Sequence, residues 1–202
     1  MNPIFLQALS LHDIYDNNDE CIHAAADIAA ELGIAGIDIE DRLLATYEPD
    51  YLQELAHQIE GKGVQFGYCG LIVPFNEPVS SIPDEINRVK TLIDALPHLG
   101  IDSVRVPGNG VVDGQTLEFT FDAVRTKFQT ICDYAADASI TVFLHNHNHG
   151  STPSTGKQVL RMLDEIDSPD ISYVLDTGQF QGSPGAGGFG SMENAAQPQL
   201  YE

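Results

Sequence analysis

Short apolar runs alternate along this chain with longer stretches in which apolar residues recur every three or four positions. IFLQALS (4–10) reads as a first strand, and Asn18–Leu32 as a helix with Ile22, Ala25, Ile28, Ala29 and Leu32 on one face, stopped by Gly33. IAGIDIE (34–40) is the second strand. Pro49 then stands in the first turn of a helix carrying Leu52, Leu55 and Ile59, closed by Gly61 and Gly63. VQFGYCGLI (64–72) is the third strand. Ser81 is the expected N-cap of a helix with Ile86, Val89, Leu92, Ile93 and Leu96 inward, ending near Pro97 and Gly100. IDSVRVPG (101–108) precedes a helix with Val124, Phe128, Ile131 and Ala135 inward. ITVFLHNH (140–147) precedes one with Val159, Leu163 and Ile166 inward, and ISYVLDTG (171–178) is the sixth strand.

Strands separated by helices of this length predict a parallel sheet, because parallel neighbours need a long crossover. An open doubly wound sheet and a (β/α)8 barrel both meet that pattern. The strands end in polar residues: Glu40, Arg105, His145 and His147, then Asp176. A barrel gathers such ends into one ring around a shared pocket, whereas an open sheet concentrates ligand groups at one switch point. The even spread favours the barrel. A full barrel takes about 250 residues, so the expectation is a single α/β domain over 1–202 that stops after strand six, lacking its last two βα units. A partial barrel of this kind would leave strand edges and helix faces open and would aggregate readily. The one low-complexity stretch, GSPGAGGFGS (182–191), reads as a Gly-rich loop. It lacks the GK[ST] ending of a phosphate-binding loop.

Composition narrows the function. The 202 residues include 30 acidic and 9 basic ones, for a formal charge of -21. Such a chain repels phosphate backbones and anionic membrane surfaces, so neither nucleic acid nor membrane is an expected partner. Cys21, Cys69 and Cys132 are widely separated and odd in number, which suits a reducing interior better than a disulfide framework. No stretch approaches the roughly 20 apolar residues of a membrane span, and the N-terminus has no signal-peptide pattern. A cytoplasmic protein is expected.

The candidate chemistry lies at the strand ends. His145 and His147 are two apart on a strand, so they project from one face and can converge on an ion or a substrate. They could equally line a pocket by hydrogen bonding alone. His149 falls in the loop beyond. The letters HNH are not the nuclease motif, whose residues are dispersed along a ββα unit. Asp176 closes the apolar run YVL, where a carboxylate needs a cation or a satisfied turn. Gln179 could orient a sugar hydroxyl. Glu40 shares a face with Asp38, a pairing that suits acid–base work or simple solvation. Arg105, a charge inside an apolar strand, could clamp a phosphate or carboxylate, or pair with Glu40 or Asp38 as a structural bridge. No Ser-His-Asp triad, nucleophile elbow or dinucleotide fingerprint is present.

In AAELGIAGIDIE (29–40), HLGIDSVRVPGNG (98–110), ASITVFLHNHNHG (138–150) and SPDISYVLDTGQF (168–180) the chain resembles the sugar phosphate isomerase/epimerase family of xylose isomerase-like TIM barrels. The resemblance implies metal-assisted proton transfer on a hydroxy-carbonyl sugar or sugar phosphate through an enediolate. It also implies a divalent ion (Mn, Mg, Co or Zn), with Asp176 and His145 as ligands. His145 stands where many members carry a Glu, although a His-Asn-His sequence occurs in others. Gln179 stands where a substrate-contacting His is usual. On this reading Glu40 and His147 are the catalytic candidates, and Arg105, Gln179 and His147 bind substrate. The family's remaining ligands, a His on strand seven and a Glu on strand eight, would lie beyond Glu202, so the 202 residues alone are expected to be inactive. A homo-oligomer is compatible with the resemblance. The alternatives are a non-catalytic relative that binds a carbohydrate or a partner after losing ligands, and an apurinic-site endonuclease, which the charge of -21 disfavours.

Overall fold

The structure, a computed structural model, describes residues 3–15, 18–71, 82–110, 115–147 and 151–179. Two features considered above, the Ser81 cap and the Gly-rich loop at 182–191, lie outside the described residues, as does His149. Six parallel strands form one sheet: β1 (Phe5–Gln7), β2 (Gly36–Glu40), β3 (Gln65–Gly70), β4 (Ser103–Pro107), β6 (Thr141–His145) and β8 (Ile171–Val174). Two-residue β5 (Asn109–Gly110) and β7 (Ser151–Thr152) pair antiparallel and tie the loop after β4 to the loop after β6. The crossovers contain α1 (Asn18–Leu32), α2 (Pro49–Glu60), α3 (Ile82–Ala95), α4 (Leu117–Asp137) and α5 (Gly156–Ile166).

Spatial order in the sheet is β1-β2-β3-β4-β6-β8, the same as chain order. A doubly wound sheet would reverse direction at a switch point; this one advances strand by strand, as the wall of a barrel does. The fold is of the (β/α)8 TIM-barrel type, with six of its strands among the described residues.

Strand alternation divides the side chains between two faces. Ile37, Ile39, Val104, Val106, Val142 and Leu144 are fully buried against the helices. The helices answer with Ile22, Ala25, Leu52, Ile59, Leu92, Val124, Phe128 and Met162 at helical spacing. Each large apolar side chain sequestered in this way contributes about 1.5–3 kcal/mol. The opposite face carries Asp38 and Glu40, Arg105, and His145.

Local chemistry sets the ends. The Thr116 side chain accepts the Phe119 N–H at the start of α4, and Thr155 with Gln158 makes a reciprocal capping box at α5. Each strand is shorter than its apolar run. The first is expected to reach Ser10 but ends at Gln7, whose side chain accepts the Leu9 N–H as the backbone tightens into a 3₁₀ turn over Ala8–Leu11. Leu32, expected inward, is 67% exposed, because it is the last residue of α1 before the left-handed Gly33 redirects the chain. Cys21, Cys69 and Cys132 are buried free thiols. Among the described residues, no helix is long and apolar enough to cross a membrane.

Candidate active site

Register explains why one charged row forms. Glu40 is level with Gly70, Gly70 with Arg105, and Arg105 with Phe143. Arg105 therefore has to cross β3 to reach Glu40, and it does so where β3 has no side chain. A Cβ on Gly70 would lie 2.5 Å from one Arg105 terminal nitrogen and 3.1 Å from Glu40 Cγ. The passage exists because that residue is glycine.

Through it Arg105 Nη2 donates to Glu40 Oε1 at 2.8 Å, while Arg42 Nε reaches Glu40 Oε2 at 2.9 Å. Glu40 thus pairs with two guanidinium groups, but only Oε1 is hydrogen-bonded; Oε2 is in ion-pair contact with Arg42 and has no hydrogen-bond partner among the described residues. Glu40 is 5% exposed and Arg105 9%, so the pair is desolvated and its geometry matters. The flat face of Arg105 lies 5.7 Å from the Tyr68 ring centroid, and Gln7 Nε2 donates to the Tyr68 hydroxyl at 3.4 Å. Arg105 Nε, also buried, has no hydrogen-bond partner among the described residues.

The row continues onto β6 and β8. Arg105 Nη1 and His145 Nδ1 are 3.1 Å apart, and His145 Nε2 is 3.1 Å from Asp176 Oδ2. The other Asp176 oxygen accepts the Gly178 N–H at 2.9 Å. Asn146, fully buried, holds this corner. Its amide donates to the Asp176 carbonyl at 2.9 Å, and its Oδ1 accepts both the Asp176 N–H and the Tyr173 hydroxyl. The His147 ring meets the His145 ring edge-on at 5.9 Å, so the two histidines do share a face. Gln179 follows in the same turn, its N–H donating to the Asp176 carbonyl. Its buried Oε1 has no hydrogen-bond partner among the described residues, which suits it to a ligand hydroxyl.

The structure thus brings Glu40, Arg105, His145, His147, Asp176 and Gln179 to one end of the sheet, the C-terminal ends of its strands. Gly70, Tyr68 and Asn146 join them without having been singled out. In sequence Gly70 is only one glycine in an apolar run, and Asn146 is overshadowed by its histidine neighbours.

Asp38 and His145 both have displaced acidities. Burial lifts the Asp38 carboxyl from 3.8 to about 6, against the Tyr68 N–H that donates to it at 3.0 Å and the charge of Arg105. Burial lowers the His145 imidazole from 6.5 to about 4; Arg105 pushes the same way and Asp176 opposes. His145 is therefore neutral at pH 7. The Asp38 shift has a thermodynamic consequence. The folded chain holds this proton up to about pH 6 and the unfolded chain only to about 3.8, so stability is lost as pH rises through that window. Asp38→Asn removes the loss, and the variant is expected to gain stability relative to the parent between pH 4 and pH 7. Paired urea melts at the two pH values check this; a difference independent of pH would contradict it.

A divalent ion needs several converging donors. His145 and Asp176 supply two, but they are hydrogen-bonded to each other and an arginine occupies the remaining imidazole nitrogen. No group of three His, Cys, Asp or Glu side chains converges among the described residues. The described residues do not by themselves fit a metal centre. A separate cleft of about 340 Å³ opens on the helix side, lined by Asp133, Asp167 and Asp170 among others. It lies away from the C-terminal strand ends, beside the residues that lead into β8, and holds none of the row's residues.

A family model described as xylose isomerase-like TIM barrel matches residues 26–200. No curated protein matches the sequence. Among solved structures, a probable 3-DHS dehydratase involved in petrobactin synthesis from Bacillus anthracis superimposes with a TM-score of 0.74 at 15% identity, over 90% of this chain and 65% of that one. A 3-keto-D-glucoside 4-epimerase from E. coli gives 0.67 at 16% identity, over 86% of this chain and 67% of that one. A D-psicose 3-epimerase solved in the presence of D-fructose gives 0.67 at 14% identity, over 87% and 64%. The chain thus spans about two thirds of the length of these structures, and at such identities the likeness is one of fold.

Proposed function

Since the chain belongs to the xylose isomerase-like TIM barrel family, we propose that its strand-end mouth binds a hydroxy-carbonyl sugar or sugar phosphate and moves a proton on the carbon beside the carbonyl, as an isomerase or epimerase does. The observation that carries this reading is the polar row from Glu40 through Arg105 and His145 to Asp176, with Asp38 beside it at an acidity near neutral.

Removing a proton next to a carbonyl requires a base of suitable strength and donors for the oxygen that becomes negative. Asp38 suits the first task better than Glu40, because Glu40 is held as an anion by ion pairs with two arginines. Glu40 is the anchor that orients Arg105. Arg105 supplies positive charge in a desolvated setting, where it acts more strongly than in water. His145, His147 and Gln179 line the same opening and can hold ligand oxygens. The three free thiols fit a reducing, cytoplasmic setting.

Incubation with D-fructose, D-psicose and their phosphate esters in deuterated water, with Mn²⁺ or Mg²⁺ supplied, tests the proposal. An enediolate intermediate exchanges its carbon-bound proton with solvent, so deuterium should enter the sugar beside the carbonyl. Sugar binding without incorporation would replace this reading with that of a non-catalytic carbohydrate-binding relative.

A further inference from the structure

The polarity of the Arg105–His145–Asp176 contacts is fixed by their chemistry. A guanidinium has N–H donors and no acceptor, so across the 3.1 Å contact Arg105 donates and His145 Nδ1 accepts. A neutral imidazole that accepts at Nδ1 carries its proton on Nε2. That nitrogen lies 3.1 Å from Asp176 Oδ2, a carboxylate oxygen able to receive it. We infer that Arg105 is a positioning residue that holds His145 as the Nε2–H tautomer, so that His145 offers the mouth a hydrogen-bond donor for a ligand oxygen and not a lone pair for a metal ion.

The surroundings oppose the other arrangement. A histidine that ligates a metal through one nitrogen ordinarily donates its second N–H to a carboxylate, carbonyl or water. Here the partner of the second nitrogen is a cation with nothing to accept a proton. Moving the proton to Nδ1 would set two donors against each other at hydrogen-bond distance. Arg105 cannot easily withdraw, because its other arm holds Glu40 at 2.8 Å and its face lies over Tyr68. The His145 side chain is 5% exposed, so water is poorly placed to take over from Arg105. The ligand class that fits His145 is a neutral or anionic oxygen: a carbonyl, a hydroxyl or a developing enediolate, entering where Asp176 now accepts. The inference stands on contact geometry and does not depend on the sugar chemistry proposed above.

Long-range ¹H–¹⁵N correlation spectra of the histidine rings, recorded on the ¹⁵N-labelled chain at pH 7 without substrate, test it. His145→Gln identifies the His145 signals among the seven histidines. The expected spectrum has an unprotonated Nδ1 and a protonated Nε2, unchanged when Zn²⁺ is added in excess. Arg105→Lys, which retains a donor-only cation, should preserve it, and Arg105→Met should release a mixture of tautomers. If the Met variant fails to fold, the parent and Lys spectra still decide. A proton on Nδ1 in the parent, or an Nε2 that Zn²⁺ converts to a deprotonated ligand, would overturn the inference. Because no substrate is present, an absence of isomerase activity leaves this result unaffected.

Discussion

Arg105→Met is expected to destabilise the chain by about 3–5 kcal/mol, the range for removing one member of a buried ion pair. The cost comes from what is left behind rather than from the contact itself. Glu40 stays 5% exposed with its Oε1 unpaired, and Arg42, which remains on the other oxygen, is half solvent-exposed and a weaker partner. His145 loses the donor on Nδ1 and Tyr68 loses the cation above its ring. A comparison variant isolates the effect. Arg42→Met removes a cation from the same carboxylate at the surface and should cost no more than about 1 kcal/mol. The double variant Arg105→Met with Glu40→Gln should recover part of the larger loss, since the amide carries no charge to strand. Urea melts of the four proteins measure all of this. Equal small costs for the two arginines would mean that the row is not desolvated as described.

Asp38→Asn is expected to slow deuterium incorporation into the sugar by about 10²–10⁴-fold, the usual contribution of a positioned acid or base. Asparagine is nearly the same shape and can still accept the Tyr68 N–H, so the backbone geometry should persist. What disappears is the capacity to take up a proton near neutral pH. The same variant should be more stable than the parent at pH 7, because the buried carboxylate no longer has to ionise. Lost turnover with gained stability separates a functional group from a structural one. Glu40→Gln should behave in the opposite way, losing stability through Arg105 before any effect specific to proton transfer is seen. An Asp38→Asn protein that exchanges at the parental rate would remove Asp38 from the mechanism.

The architecture was legible because two periodicities alternate cleanly. Ile22, Ala25 and Ala29 mark a helix, and Ile37 with Ile39 marks a strand with one face against it. The polar strand ends favoured a barrel over an open sheet, and the sequential strand order agrees. Strand limits were less legible, since hydrophobicity continues past the point where the ladder stops, as at Ala8. Arg105 stood out as a charge in an apolar strand, and its pairing with Glu40 was one of the two readings open to it. Three contributors gave no such signal. Gly70 matters only because register puts it between Glu40 and Arg105. Tyr68 matters through a ring face, and Asn146 through bonds to residues 27 and 30 positions away. These are long-range facts, and a linear pattern contains none of them. The polarity of the His145 contacts is likewise invisible until Arg105 is seen beside the ring.

If the polar row is a ligand-binding mouth and not only a structural brace, a sugar should perturb it. Backbone ¹H–¹⁵N spectra of the labelled chain, recorded during titration with D-fructose, test it most directly. Progressive shifts are expected at Asp38, Tyr68, Arg105, His145 and Gln179, with the amides of Asp133, Asp167 and Asp170 unmoved. Shifts confined to that helix-side cleft, with the strand ends silent, would contradict it.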